Sequence, residues 1–398
     1  MTSSWRKGSC IFFSLVFLWL APISGSFAEE APAKKPAKAE KEKKGDKAHA
    51  DVVVVGEPTE FKRIAGSAHF LDSDNLDLLE YDDIHRVLAQ VPGVYVREED
   101  GFGLRPNIGL RGASSDRSAK LTIMEDGILL GPAPYSAPAA YYFPLMTRIN
   151  GTEVFKGPAS IKYGPSTIGG ALNLITRPIP KESLLAIDVA GGEFMTGKAH
   201  AIAGYGGTNF GFLLEGVHLR TDGFKELDTG DSTGFAKNEA MFKTHYKTET
   251  TSGAFHQLEL KLGYSTEQSN ETYMGLSEAD FAATPYRRYA ATQNGLMEWE
   301  RTQATLSHFW GINDSVDIQT TAYRHDFHRA WTKINRFETT YGSDLQRLLE
   351  TDLSSGTPQG LYQILTGETD SSSIDGGNLE LGTNDRTFFS QGIQSVLH

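Results

Sequence analysis

Residues 257–264 read Gln-Leu-Glu-Leu-Lys-Leu-Gly-Tyr. Leu258, Leu260, Leu262 and Tyr264 alternate with Gln257, Glu259, Lys261 and Gly263. This is the period of a strand with one apolar and one polar face. Leu185, Ile187 and Val189 alternate in the same way with Ala186, Asp188 and Ala190. Further strands are expected at Lys198–Tyr205, Phe210–Arg220, Met241–Thr248, Thr302–Trp310, Val316–Phe327 and Arg386–Leu397, making eight. Each is close to the ~9–11 residues that a tilted strand needs to cross a bilayer. The connectors at Gly206–Asn209, Thr250–Gly253 and Gly311–Asp314 are short. Those at Thr221–Lys237, Thr266–Trp299 and Ala330–Asp385 are long. Short and long connections that alternate are the pattern of an outer-membrane barrel, and Tyr205, Phe210, Tyr264 and Trp310 near strand ends suit an interfacial girdle. A soluble antiparallel sandwich would explain the alternation but not the loop parity.

Composition agrees with a strand-rich chain. Of 398 residues 41 are Gly, with 11% aromatic and 22% charged residues, which excludes a disordered chain or a coiled coil. The net charge of −12 leaves no basic excess for nucleic acid, so no nucleic-acid partner is expected. The single cysteine, Cys10, lies in an apparent N-terminal leader, so disulfides and thiolate metal sites are not expected.

Arg6 and Lys7 precede an eleven-residue apolar run, Ile11–Ala21, and Ser26-Phe27-Ala28 offers a small-residue cleavage site. Residues 1–28 therefore read as a signal peptide; a membrane anchor is the alternative, but eleven helical residues rise only ~16 Å. Residues 29–50 carry seven Lys, five acids, and Pro32, Pro36 and Gly45, the composition of a flexible linker. Next comes Asp51-Val52-Val53-Val54-Val55-Gly56, a strongly extended segment. It could pair with another protein's sheet edge, or be an ordinary first strand of the next domain.

Residues 61–180 read as a compact mixed domain. Asp82–Val91 is expected to be an amphipathic helix through Ile84, Val87, Leu88 and Val91, stopped by Pro92-Gly93. Short strands are expected at Val94–Arg97, Asn107–Arg111, Lys120–Met124, Gly151–Phe155 and Ala171–Ile175, with a turn at Asp126-Gly127. No phosphate-cradling glycine motif is present. A filled eight-stranded barrel has no room for such a domain. Either the domain lies outside or strands are missing, and the end inside a strand at Gly392–His398 favours a chain incomplete at its C-terminus.

The order of motifs over residues 51–180 resembles the TonB-dependent outer-membrane receptor family. Asp51–Gly56, extending to residue 57, looks like its TonB box. Val91–Val96 (VPGVYV), Ile108–Gly112 (IGLRG), Met124–Gly127 (MEDG), Val154–Gly164 (VFKGPASIKYG), Gly169–Asn173 (GGALN) and Ile175–Arg177 (ITR) look like its plug. Pro132–Pro144 and Pro285–Tyr289 look most like ferric citrate and related siderophore receptors. The fold implied is an α+β plug followed, over residues 183–398, by part of a large antiparallel transmembrane β-barrel, about eight of ~22 strands. Two features depart from the family: Lys156 stands where it usually has Arg, and no terminal aromatic residue is present.

The resemblance implies a transporter, not an enzyme, in the bacterial outer membrane, with its plug inside the barrel and its N-terminus in the periplasm. Its partners would be TonB with ExbB-ExbD, a ferric chelate and membrane lipid. Iron would enter as chelated substrate, with no resident cofactor or metal. TonB would add a strand to Val52–Val55 and pull the plug. The outward apices would be Gly101–Pro106, Ala113–Ser118 and Pro132–Phe143. Arg105 and Arg117 would offer forked donors to chelate carboxylates, Tyr135, Tyr141 and Tyr142 apolar faces with hydroxyls, and Arg287 and Arg288 closure from a barrel loop. Arg111 and Lys156 would hold the plug to wall carboxylates. His325-Asp326-x-His328 suggests metal, but it straddles an expected strand end and a chelated ion needs no protein ligand. A passive porin or adhesin, a receptor for haem, cobalamin or another metal chelate, and a secreted β-rich enzyme are the competing readings. The last lacks any G-x-S-x-G or H-E-x-x-H motif.

Overall fold

Backbone pairing in the computed structural model divides the chain into a mixed first domain and an antiparallel wall. The residues described are 66–130, 140–164, 167–249, 254–313, 316–338 and 344–397. The leader, the linker, Asp51–Gly56 and Tyr135 lie outside them.

The first domain contains β1 (Ser67–Leu71), α1 (Ser73–Leu79), α2 (Ile84–Leu88), β2 (Val94–Arg97), β3 (Asn107–Leu110), β4 (Leu121–Glu125), β5 (Ile128–Leu129), β6 (Ile149–Lys156) and β7 (Gly170–Thr176). Its main sheet has the order β1-β6-β7-β4-β5, with β4 and β7 parallel, and β2 pairs with β3 alone. Ile84, Val87, Leu88 and Val91 form one buried face against Ile108, Ile123, Val154 and Leu172. Asp83 caps α2 by accepting from the His85 amide at 2.8 Å, and the helix ends at Leu88, before Val91 completes its apolar stripe. β1 and α1 carry no strong periodic pattern and were not expected from the sequence. Asp126 and Gly127 turn β4 into β5 with φ of 50° and 75°, the twist that a two-residue hairpin loop demands. The Asp126 side chain accepts from the Thr176 amide at 2.9 Å, and the Gly127 amide donates to Asn173 at 2.9 Å. Two of the quoted motifs therefore fold against each other.

The wall contains β8 (Leu184–Gly192), β9 (Thr196–Gly206), β10 (Phe210–Thr221), β12 (Phe235–Glu249), β13 (Phe255–Asn270), β15 (Leu296–Asn313), β16 (Val316–Phe337) and β17 (Leu379–Leu397). It is one sheet in chain order, antiparallel throughout. All eight expected strands are present, but several run much further, with β16 reaching 22 residues. The extra length follows from backbone pairing, which continues where the outward side chains turn polar and the alternation fades. Tyr264 consequently sits within β13 rather than at its end, and the His325–His328 cluster lies within β16. The short connector Glu193–Met195 between β8 and β9 interrupts the expected loop parity.

The loop between β10 and β12 carries β11 (Glu226–Leu227), and that between β13 and β15 carries α3 (Glu278–Ala283) and β14 (Arg287–Arg288). Between β16 and β17 lie α4 (Leu345–Leu349) and α5 (Gly356–Thr366). Tyr289, Leu348, Leu349, Leu361 and Leu365 join Phe337 from the end of β16 in a separate small core. No described helix is long and apolar enough to cross a membrane.

The two wall faces have inverted chemistry. Leu185, Ile187 and Ile393 are more than 70% exposed on the outer face, while Lys237, Arg301 and Arg329 are 2% exposed or less on the inner face. In water this would leave apolar side chains wet and bury charges. It is the arrangement of strands whose outer solvent is hydrocarbon.

Candidate functional site

The charged inner face is matched by charges on the first domain, which packs directly against it. Arg148 ends a helical turn that leads into β6. It reaches Glu125 of β4 at 2.7 Å and also pairs with Glu239 of β12. Lys261 of β13 lies 2.6 Å from both Glu125 and Asp126, with Lys243 of β12 3.5 Å from Asp126. Gln303 donates to Glu125 at 2.9 Å. Burial opposes charge on Glu125, but Arg148, Lys261 and Arg301 together hold its carboxyl well below the usual range. Backbone groups join in: the Leu145 amide donates to Glu239 at 2.9 Å, and Lys237 donates to the Phe143 carbonyl at 2.5 Å. The hairpin turn and the segment before β6 are thus the docking face. Sequence reasoning missed these residues. Their signal was parity: Lys237, Glu239, Lys243, Lys261, Arg301 and Gln303 all fall on the inward register of their strands.

Arg105 belongs to the same class of contact. It is buried, 2.6 Å from Glu267 and 3.0 Å from Glu271, an anchor to the wall rather than a free fork. Arg117 is more open, 2.7 Å from Glu99 and 3.1 Å from the Tyr273 hydroxyl. Tyr273 also lines two adjoining cavities of about 1440 and 410 Å³. The larger lies among the β13–β15 loop, Lys333–Asn335 and the segment at α4; the smaller adds Glu99, Asp100, Lys225 and Arg288. Tyr141 stacks beneath the Arg329 guanidinium at 3.9 Å, close to Trp331. Tyr142 is deeper; its hydroxyl accepts from Arg148 at 2.7 Å, and Arg301 lies 4.2 Å above its ring. Arg287 is spent on Asp228 and Asp280, both at 2.8 Å, and so ties two loops together. Arg288 borders the smaller cavity and donates to the Pro285 carbonyl at 3.0 Å; burial lowers its pKa.

The expected wall contacts of Arg111 and Lys156 are not seen among the described strands. Lys156 donates instead to the Pro92 carbonyl at 2.6 Å, and Arg111 is exposed. Strand alternation separates His325, on the inner face, from Asp326 and His328, which pair outward with Arg324 and Asp385. Among the described residues no group of three or more His, Cys, Asp or Glu could hold a metal.

Residues 61–171 match the TonB-dependent Receptor Plug Domain family. This segment is a TonB-dependent receptor plug. Behind it, the wall is part of an antiparallel barrel of the kind those receptors have. The unliganded ferric citrate transporter FecA superposes with a TM-score of 0.59 at 20% identity, over 72% of this chain and 43% of that one. The ferric-catecholate import receptor Fiu from E. coli does so at 0.56 and 16% identity, over 83% and 46%. In sequence, the vitamin B12 transporter BtuB of Photobacterium profundum is 24% identical over 277 residues, 69% of this chain and 42% of its own length. The chain thus spans less than half the length of these relatives. They are transporters and receptors, in line with the expectation of a protein that is not an enzyme. Within the plug, Glu99 and Asp100 border the smaller cavity and Arg117 contacts Tyr273 at its rim, while Glu125, Asp126 and Arg148 form the lateral contact with the barrel wall.

Proposed function

We propose that the protein imports an iron chelate, of the ferric citrate or siderophore type, across the bacterial outer membrane, driven by TonB. The observation that carries this reading is a plug held by buried ion pairs against the charged inner face of a sheet whose outer face is apolar. A passive pore has no use for such an obstruction, whereas an energised one needs it closed until force arrives. The extended segment Asp51–Gly56 would be gripped by TonB through backbone hydrogen bonds, with ExbB-ExbD supplying the energy. The N-terminus is then periplasmic. Chelate would settle at the loop cavities against Arg117, Tyr141 and Tyr273, with Arg288 on their border. Arg105, Tyr142 and Arg287 would act as supports, since each is already engaged by protein partners. Cobalamin is the second reading, favoured by the vitamin B12 transporters among the relatives.

Uptake of radiolabelled ferric citrate and of labelled cyanocobalamin, each with and without an intact proton gradient, tests the proposal. Gradient-dependent accumulation of the iron chelate is expected. Accumulation that ignores the gradient would mean a passive pore. Val54→Pro removes a ladder donor and should abolish uptake while leaving surface binding intact; normal uptake would remove the TonB-box assignment.

A further inference from the structure

The long loops of the wall are joined through one carboxylate. Ser277 caps α3, its hydroxyl accepting from the Asp280 amide at 3.2 Å. An acid three residues beyond such a cap ordinarily reaches back to the amide of the cap itself. Here the Ser277 amide donates to the Tyr289 hydroxyl at 2.9 Å instead, which leaves the Asp280 carboxylate for partners further away. Its Oδ2 accepts from Ser277 at 2.7 Å, Tyr289 at 2.6 Å and Tyr362 at 2.8 Å. Its Oδ1 accepts from Nη1 of Arg287 at 2.8 Å. The Asp280 side chain is 15% exposed. Burial works against its charge, but the three hydroxyls and Arg287 hold the carboxyl below its usual range. It is therefore ionised at neutral pH, and an ionised carboxylate can only accept.

These partners come from three loops. Asp280, Arg287 and Tyr289 lie between β13 and β15, and Tyr362 lies in α5 between β16 and β17. Arg287 passes the contact on to Asp228, between β10 and β12, through Nε at 2.8 Å and Nη2 at 3.2 Å. Backbone pairing repeats that link: β11 runs parallel to β14, and the Asp228 amide donates to the Arg288 carbonyl at 2.9 Å. Tyr362 packs edge-on against Tyr289 at 5.8 Å, and α5 shares the small core with Leu348 and Leu349 of α4. The cavity of about 1440 Å³ lies between the parts so joined. Ala279, Phe281 and Ala282 line one side of it, and Leu345, Leu349 and Leu353 the other.

We infer that Asp280 is a positioning residue that latches the three loops into one roof, so that the chamber beneath stands before its ligand arrives, and that it thereby sets how tightly the ligand is held. Its chain neighbours Ala279 and Phe281 line the chamber, but Asp280 does not, so it acts through the walls it ties together. Loops that order only on binding weaken it by the conformational freedom they lose, whereas a roof assembled during folding does not. The role in holding a ligand rests on the uptake reading; the latch rests on the loops alone.

Trypsin digestion of the full chain in detergent reads the latch without any ligand. Lys225, Arg288 and Arg347 give each loop a cleavage site. In Asp280→Ala all three should be cut together, roughly tenfold or more faster than in the wild type, while heat-modifiable mobility on gels shows the barrel still folded. Faster cutting confined to the β13–β15 loop, or in no loop, overturns the single roof. In uptake, Asp280→Ala should raise the half-saturating concentration of ferric citrate, or of cyanocobalamin if that is what accumulates, by roughly tenfold with the maximal rate retained. A fall in maximal rate alone overturns the positioning role. Tyr362→Phe should raise half-saturation in part and add nothing in the Asp280→Ala background; additive losses overturn the coupling. If Asp280→Ala does not assemble, Asp280→Asn, which keeps the size and one acceptor, must show the same joint cleavage for the latch to stand. The two readings fail separately. Joint cleavage in a chain that accumulates neither ligand removes transport and leaves the latch, whereas gradient-driven uptake by a chain whose loops are released one at a time removes the latch alone.

Discussion

Arg105 and Arg117 have the same side chain, but the fold gives them different work. Arg105 is enclosed by Glu267 and Glu271, and burial works against its charge while those carboxylates raise its pKa. Arg105→Ala would take the nearest cation from two buried carboxylates and leave Glu271 without an ion-pair partner, a loss of about 3–5 kcal/mol. Reduced plug stability, read by protease resistance, is the expected result. Arg117→Ala removes a half-exposed pair and should leave assembly intact while weakening chelate binding; unchanged affinity would take Arg117 out of the site. Glu153 in β6 offers a test of opposite sign. Burial pushes its carboxyl up to about 7, although Asn173 donates to it at 2.8 Å. The folded plug therefore holds a proton that the unfolded chain releases near the ordinary 4.5. The stabilisation is complete below that value and is lost as pH rises through about 7. Glu153→Gln should flatten this fall, so that denaturation midpoints at pH 6 and pH 8 approach each other; an unchanged slope would exclude Glu153 as the source.

At the scale of elements, β13 shows how one strand serves two solvents. Leu258, Leu262 and Tyr264 are exposed on the outer face, while Gln257, Lys261 and Ser265 are buried on the inner one. Leu262→Arg would place a charge in hydrocarbon at a cost of ~2–4 kcal/mol near the midplane. Membrane assembly should fall, as heat-modifiable mobility on gels would show. Gln257→Leu, facing inward, should not reduce it. A soluble sheet would tolerate Leu262→Arg. The alternation that identifies such strands was plain in the sequence only where lipid contact enforces it. Beyond that band both faces meet polar surroundings, so the upper parts of β15 and β16 read as loop. The plug was more legible through its motifs, because Asp126-Gly127 and Asn173 carry the turn itself. β1 and α1 were not, since their positions depend on pairing with β6 and not on any local pattern.

For the molecule as a whole, the question is whether the plug must move. The Arg148 and Glu239 side chains touch across the plug–wall boundary, and the chain contains one native cysteine, Cys10, in the expected leader. Arg148→Cys with Glu239→Cys should be bridged by a short thiol-reactive cross-linker with an internal disulfide, which fills the space of the two removed side chains, detectable as a thiol loss. The bridged protein should bind chelate yet stop accumulating it, and a reductant should restore uptake to the level of the reduced variant. Undiminished transport through the bridged form would show that this contact stays closed during passage.

Sequence alone determined what can be set by near neighbours: the strand period, the turn at Asp126-Gly127, the short helix after Asp82, and a resemblance spread over residues 51–180. It could not say which charges meet. Arg105 and Glu267, or Arg148 and Glu239, lie far apart along the chain, and nothing local distinguishes a charge that will be buried from one that stays wet. Tertiary structure decided that, because the low-polarity gap between plug and wall makes every unpaired charge expensive and so fixes which partners must be opposite.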